Sequence, residues 1–380
     1  MTIHNPDIPP ARAGLPTPAR AALVVALVYV FLVGVSSLEA GISAMGGDVQ
    51  EDLFSRVTNP VAGLCVGILA TVLVQSSSAT TSVIVGLVAS GALSVDAAVP
   101  MVMGANLGTT VTNTLVSLGH VRQGTEFRRA FAAATVHDFF NVFTVLLLFP
   151  LEMATGVLAE IAGAMSGALV GSAGAEWESP VKAWVSAPVE AVESALDGIA
   201  HGTALGVLLV AIGLVVILLA LTFITKNMRQ LVADRVERSL NALLGRGGGL
   251  MAMALGLVIT VAVQSSSITT SILIPLAAAG VLSIQNAYPV TLGANVGTTI
   301  TALLAAMAAS RPEALTIGFV HTLFNVTGIL LIWPLPAVRV LPIRAAEALA
   351  TLATAKRRWA IGYVFGTFIA LPLVGIAVLG

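Results

Sequence analysis

Two uncharged polar blocks stand in the middle of two strongly apolar stretches. The first is Gln75-Ser76-Ser77-Ser78, followed by Thr80-Thr81-Ser82. The second is Gln264-Ser265-Ser266-Ser267, followed by Thr269-Thr270-Ser271. Each hydroxyl can donate and accept, and each glutamine amide does both through separate atoms. A helix that breaks at such a block adds free N–H groups at one end and free C=O groups at the other. The N–H end suits an anion. Carbonyl and hydroxyl oxygens suit a hard cation such as Na⁺. A site of this make-up can take an oxyanion and sodium together, each offsetting part of the other's desolvation cost.

A second pair of motifs lies 29 residues beyond each glutamine: GANLGTT (104–110) and GANVGTT (293–299). Their glycines (Gly104, Gly108, Gly293, Gly297) permit either helix unwinding or close backbone approach. Taken singly, each motif reads as a small-residue helix contact of the GxxxG type. Recurrence at one spacing favours a site, with Asn106, Thr109, Thr110, Asn295, Thr298 and Thr299 as oxygen ligands for sodium. Serine and threonine in membrane helices often bond only to their own backbone carbonyls. Two whole blocks are harder to explain that way than one lone hydroxyl.

Asp138 is the acidic side chain set well inside an apolar segment. A charge there costs about 2.5–3.5 kcal/mol or more unless it is paired. A bound cation is its natural partner; Arg128, Arg129 and His137 are the competing ones. The second half carries Thr322 at the equivalent position, so a cation site of this kind exists once.

The elements that must position these groups follow from composition. Of 380 residues, 57% are hydrophobic and 10% are charged, against about 25% charge in ordinary soluble domains. That is too little charge to cover a soluble enzyme, so a polytopic membrane protein is expected. A net charge of −1 argues against nucleic-acid binding, and a single cysteine, Cys65, excludes a disulfide framework or thiolate cluster. Apolar stretches lie at about 21–36, 61–92, 98–118, 130–150, 201–225, 250–283, 287–309, 314–335 and 359–379. The first could be a signal-peptide core, but many more follow it, and a first transmembrane helix is the better reading.

Arginine and lysine collect in the loops 119–129, 226–249 and 336–358, whereas 37–60 and 151–200 are acidic. By the positive-inside rule the first set is cytoplasmic and the second external. That sidedness leaves 61–92 and 250–283 crossing zero or two times, and each is too short for two full spans of about 20 residues. Both are therefore read as re-entrant hairpins with the polar blocks at their tips, tolerated at membrane depth only inside protein or beside water.

Residues 74–115 align without gaps on 263–304 with 23 of 42 positions identical, so the chain is a duplication. HDFFN (137–141) likewise matches HTLFN (321–325). Three crossings separate equivalent points, so the halves are inverted. The expected fold is an all-α polytopic membrane protein of two inverted repeats. Each repeat has a re-entrant helical hairpin and a broken transmembrane helix, the plan of many secondary transporters. The segments are a disordered tail (1–20), repeat 1 (21–150), an external loop (151–200) and repeat 2 (201–335). A cytoplasmic or interfacial segment (336–358) and a final helix (359–380) follow. An intramembrane serine hydrolase fits poorly, because no G-x-S-x-G elbow is present and a nucleophile is needed once. A channel suits the buried carboxylate less well than a coupled transporter.

The paired QSSS hairpins, together with EFRRAFAAATVHDFFN (126–141), resemble the type II sodium–phosphate cotransporters over about residues 21–379. The resemblance implies import of inorganic phosphate with Na⁺ as coupling ion and no other cofactor. It implies that the QSSS residues of both hairpins hold phosphate. The following Thr80, Thr81, Ser82, Thr269, Thr270 and Ser271 would line the Na⁺ sites. Ala132, Ala134 and Asp138 match the pattern of electrogenic members, which carry divalent phosphate with an additional Na⁺, so that net positive charge moves inward. Another oxyanion, such as arsenate or sulfate, stays open. The segment 151–200 is shorter than its counterpart in animal members and lacks cysteine and N-x-S/T. A bacterial inner membrane with a cytoplasmic N-terminus fits best.

Overall fold

The computed structural model describes residues 15–46, 59–121, 124–170, 181–196, 198–246 and 248–380, with the backbone alone for 232–246. The first half runs α1 (Thr17–Ala44), α2 (Pro60–Val74), α3 (Ser77–Ala89), α4 (Val95–Gly108) and α5 (Val111–Ser117). It continues with α6 (Gly124–Thr155), α7 (Val157–Val170) and α8 (Lys182–Leu196). The second half runs α9 (Thr203–Arg246), α10 (Gly249–Val263), α11 (Ser266–Ser271), α12 (Leu273–Ala278), α13 (Ile284–Met307) and α14 (Pro312–Ile332). Then follow α15 (Pro336–Ala355), α16 (Arg358–Phe365) and α17 (Leu371–Leu379), the last two joined by a π-helical turn over Gly366–Ala370.

Among the described residues six helices are long and apolar enough to cross a bilayer: α1, α6, α9 up to Leu231, α13, α14 and the α16–α17 unit. The stretch expected to cross at 98–118 is divided between α4 and α5. Val25, Leu73, Leu250 and Val378 are each more than 70% exposed, which is ordinary for a lipid-facing surface and costly in water. The segment 151–200 holds α7 and α8, and the Glu152 carboxylate accepts from the N–H groups of Leu158 (2.6 Å) and Ala159 (3.0 Å) at the start of α7. A negative charge there meets the positive end of the helix dipole. Residues 47–58 of the acidic loop and Arg122 lie outside the described residues, as do the side chains of Arg235, Arg238 and Arg246.

Glycines let the helices approach backbone to backbone. In α1 and α9, Gly41 lies against Gly206 and Val210, while Gly34 lies against Gly213, Val216 and Ile217. Position rises along one helix as it falls along the other, so the pair is antiparallel. Gly67 of α2 and Gly104 of α4 each abut a carbonyl of the partner helix, those of Met101 and Leu64. Gly256 of α10 and Gly293 of α13 repeat that crossing against Val290 and Met253. The close-approach role of the GAN glycines is thus realised.

Both QSSS blocks interrupt a helix at the glutamine. Gln75 (φ 57) and Gln264 (φ 56) are the non-glycine residues with positive φ among those described. The left-handed conformation costs an L-residue roughly 1–2 kcal/mol, and each glutamine is braced against it. Gln75 Nε2 donates to Val72 O (2.5 Å) and its Oε1 accepts from Thr112 (3.1 Å). Gln264 makes the same pair with Val261 O (2.6 Å) and Thr301 (2.9 Å). Across the second break Thr260 Oγ1 donates to Thr269 Oγ1 at 2.8 Å. In a straight helix nine residues would rise about 13.5 Å, so the chain folds back here. The return helix also stops briefly at Ile272, because Pro275 has no N–H for the Ser271 carbonyl.

One expectation needs correction. The GANLGTT helix is interrupted at Thr109-Thr110, between α4 and α5, but α13 runs unbroken through GANVGTT. Near-identical local sequences behave differently because their surroundings differ. Asn113, just past the first break, donates to Thr270 (2.6 Å) and accepts from Ser271 (3.2 Å). The second repeat has Ala302 at that position and nothing polar to pull the helix aside.

Candidate functional site

Residues 75–78 and 264–267 lie far apart in the chain but line one cavity of about 260 Å³. Val74 and a face of α9, with Leu218, Leu221, Thr222 and Thr225, complete its wall. No charged side chain lines it. The serine after each glutamine caps the following helix: Ser76 Oγ accepts from Ala79 N (3.2 Å) and Ser265 Oγ from Ile268 N (3.4 Å). Such caps are worth about 1 kcal/mol each. The N–H groups of Ser77, Ser78, Ser266 and Ser267 fall in the first turn and have no helical acceptor. Two positive helix ends, with the hydroxyls of the same four serines, therefore converge on one space. That space can receive an oxyanion with no guanidinium or ammonium present.

The residues that follow turn away from it. Thr80, Thr81 and Ser82 donate to the carbonyls of Ser76, Ser77 and Ser78. Thr269 and Thr270 do the same to Ser265 and Ser266. Thr109, Thr110, Thr298 and Thr299 likewise bond to carbonyls one turn back.

Asp138 is fully buried and makes no ion pair with Arg128, Arg129 or His137. Its Oδ2 accepts from Thr114 (3.2 Å) and Tyr363 (3.0 Å), with the Thr110 hydroxyl also in contact. Its Oδ1 has no partner. Thr110, Asn113 and Thr114 all lie at or in α5, so this one turn links the carboxylate to Thr270 and Ser271 of α11. Oxygen atoms of several side chains therefore gather around one carboxylate, a donor set that suits a hard cation.

Asn106 and Asn295 are not brought to the cavity. They form the hub of a buried network that joins the two halves. His137 Nε2 pairs with Asn295 Oδ1 (2.7 Å), and Asn295 Nδ2 donates to Asn141 Oδ1 (2.7 Å). In mirrored fashion His321 Nε2 pairs with Asn106 Oδ1 (3.4 Å), and Asn106 Nδ2 donates to Asn325 Oδ1 (3.1 Å). Each histidine reaches into the opposite repeat. A second reciprocal contact lies at the ends of the return helices. Gly91 (φ 81) is covered by the Arg311 guanidinium and Gly280 (φ 76) by that of Arg129, each so close that a Cβ would sit 2.5 Å from an Nη1.

Thr222, Thr225, Asn113, Thr114 and Tyr363 were not singled out from the sequence. Thr222 and Thr225 end the apolar stretch 204–225 of α9 with no motif around them. The repeated Thr112/Thr301 and Asn141/Asn325 were visible in the alignment of the halves but carried no assigned role.

A model of the family described as Na⁺/Pi-cotransporter matches residues 30–164 and 216–334, skipping the segment between the halves. The sodium-dependent phosphate transport protein 2A of Rattus norvegicus is 37% identical, over 94% of this chain and 68% of that protein. The 2A protein of Oryctolagus cuniculus is 38% identical over 94% and 67%. The sodium-dependent phosphate transport protein 2B of Homo sapiens is 34% identical over 93% and 64%. No solved structure gives a significant match.

Proposed function

The chain belongs to the Na⁺/Pi-cotransporter family, and from that premise we propose that it is a symporter carrying inorganic phosphate into the cell with sodium. The observation that carries this reading is the convergence of both QSSS segments, one from each repeat, on a single uncharged cavity. Phosphate is held there by the N–H and hydroxyl groups of Ser77, Ser78, Ser266 and Ser267. Gln75 and Gln264 position those helix ends rather than hold the anion, since their amides are committed to Val72, Thr112, Val261 and Thr301. Ser76 and Ser265 cap the same helices.

Sodium neutralises the anion that the protein itself leaves uncompensated. One Na⁺ binds at Asp138 with Thr110, Thr114 and Tyr363. A second fits between Asn113, Thr270 and Ser271. Thr80, Thr81 and Ser82 set the return helix that faces α13 and α14. Asn106 and Asn295, with Thr109, Thr298 and Thr299, brace the repeat interface instead of holding an ion. With divalent phosphate the cycle moves net positive charge inward, gaining about 2.3 kcal/mol per charge per 100 mV of membrane potential.

Reciprocal contacts across the two halves support a two-fold relation, because such a relation makes each contact occur twice, and the antiparallel crossing of α1 with α9, the first helix of each half, favours an inverted over a parallel repeat. The histidine–asparagine pairs and the arginine–glycine pairs are the contacts that occur twice. The helix pairs α2–α3 and α10–α12 are then re-entrant hairpins from opposite sides. The membrane is a bacterial inner membrane, and the N-terminus is cytoplasmic by the placement of basic loops.

Ser267→Cys in a Cys65→Ser background tests the site. Ser267 lines the cavity and caps nothing, and Cys65 is the chain's single cysteine. A small methanethiosulfonate reagent is expected to label Cys at 267 and stop uptake, with phosphate slowing the labelling several-fold only when Na⁺ is present. Labelling at one rate with and without both solutes would remove this hairpin tip from the pathway.

A further inference from the structure

A second cavity, of about 410 Å³, lies away from the QSSS tips, between the starts of α10, α13 and α15. Its single charged lining residue is Arg339. The guanidinium stacks 4.8 Å above the Trp333 ring and has no carboxylate partner among the described residues. Stacking fixes the face of the guanidinium and leaves its edge N–H groups free to donate. Tyr288 also lines the cavity; it is fully buried, and its hydroxyl has no hydrogen-bond partner. A buried hydroxyl left unpaired costs roughly what a lost hydrogen bond costs. The side-chain amides of Gln285 and Asn286 complete the polar rim. Just outside, Leu250, Met251 and Leu335 are 73%, 64% and 56% exposed.

We propose that this cavity holds the phosphodiester headgroup of an anionic phospholipid from the cytoplasmic leaflet. The Arg339 fork and the Tyr288 hydroxyl donate to the phosphate oxygens. Acyl chains lie along Leu250, Met251 and Leu335. That apolar margin is what selects a lipid over free phosphate, which has no use for it. Basic pockets between helices at the cytoplasmic face are the usual seats of such headgroups. The assignment rests on the cytoplasmic placement of 336–358 and not on which anion is transported, so it stands or falls separately from the transport reading.

The test is native mass spectrometry of the detergent-purified full chain after exchange into equal amounts of phosphatidylglycerol and phosphatidylcholine with matched chains. Wild type is expected to retain phosphatidylglycerol selectively. Arg339→Gln lowers that retention by about ten-fold, the loss of a charge-assisted hydrogen bond. Tyr288→Phe, which keeps the ring packing, lowers it by a smaller factor. Arg339→Lys recovers part of it, and Arg344→Gln, on the same helix outside the cavity, leaves it unchanged. Equal retention of both lipids by wild type would overturn the proposal. So would an Arg344→Gln loss as large as that of Arg339→Gln. Complete displacement of the lipid by millimolar inorganic phosphate would overturn it as well and would point to a soluble anion.

Discussion

Uptake by the Asp138→Gly protein is expected to continue without net current. The carboxylate is fully buried, donates to nothing and pairs with no basic side chain. Two hydroxyls, from Thr114 and Tyr363, satisfy Oδ2, and Oδ1 is left for a cation. Removing the side chain removes both the fixed negative charge and the ligand, so one sodium fewer travels per phosphate. At 100 mV the electrical part of the lost driving force is about 2.3 kcal/mol, which by itself lowers the attainable phosphate accumulation by roughly fifty-fold at 1.36 kcal/mol per factor of ten; the concentration gradient of the missing sodium adds to that loss. Asp138→Asn keeps the volume and is expected to behave alike, which separates charge from packing. Simultaneous current and tracer measurement in oocytes or on supported membranes reads the ratio. An unchanged charge per phosphate in Asp138→Gly would mean that this carboxylate holds no coupling ion.

The largest structural effect is expected from Gly293→Ala. A methyl group there would lie well inside van der Waals contact distance of the Met253 carbonyl oxygen. Backbone cannot yield as a flexible side chain does, so α13 and α10 must separate. Overpacking of a close contact costs typically 1–3 kcal/mol and more when backbone must shift. The separation also opens the Thr260–Thr269 hydrogen bond and drags Asn295 from His137. Gly104→Ala is expected to do the same to α2 and α4 through the Leu64 carbonyl. Gly362→Ala is the control, since a Cβ there meets nothing within 4 Å. It removes backbone freedom in a helix, worth roughly 0.5–1 kcal/mol in favour of the fold. Thermal unfolding in detergent should show Gly293→Ala and Gly104→Ala unfolded or strongly destabilised and Gly362→Ala at or above wild type. Wild-type stability in Gly293→Ala would show that the α10–α13 crossing is looser than described.

The helix breaks at Gln75 and Gln264 were legible because their determinants are local. A glutamine, a capping serine and a run of small hydroxyls in an apolar stretch specify where a helix stops and another starts. The duplication was legible by identity alone. The partners of Asp138 were not. Tyr363 stands 225 residues away in α16, and only the folded chain brings it within 3.0 Å. Asn106 and Asn295 were read as ion ligands from their motif, yet buried amides also serve as hubs where two halves meet, and spacing does not separate the two roles. The interruption of α4–α5 and the continuity of α13 were beyond local reading for the same reason: the deciding residue is Asn113 against Ala302, acting through the opposite hairpin. Thr222 and Thr225 reach the cavity from the end of the apolar stretch 204–225 of α9, just before Lys226, so no motif marks them out.

The measurement that bears most directly on the account is radiolabelled phosphate uptake into proteoliposomes of the purified chain, run with inward Na⁺, with K⁺ in its place, and with an imposed inside-negative voltage. The account predicts uptake above protein-free liposomes only with inward Na⁺, and faster uptake under the voltage. Equal uptake in Na⁺ and K⁺ would contradict sodium coupling, and no phosphate uptake under any gradient would contradict the assignment of the QSSS cavity to phosphate.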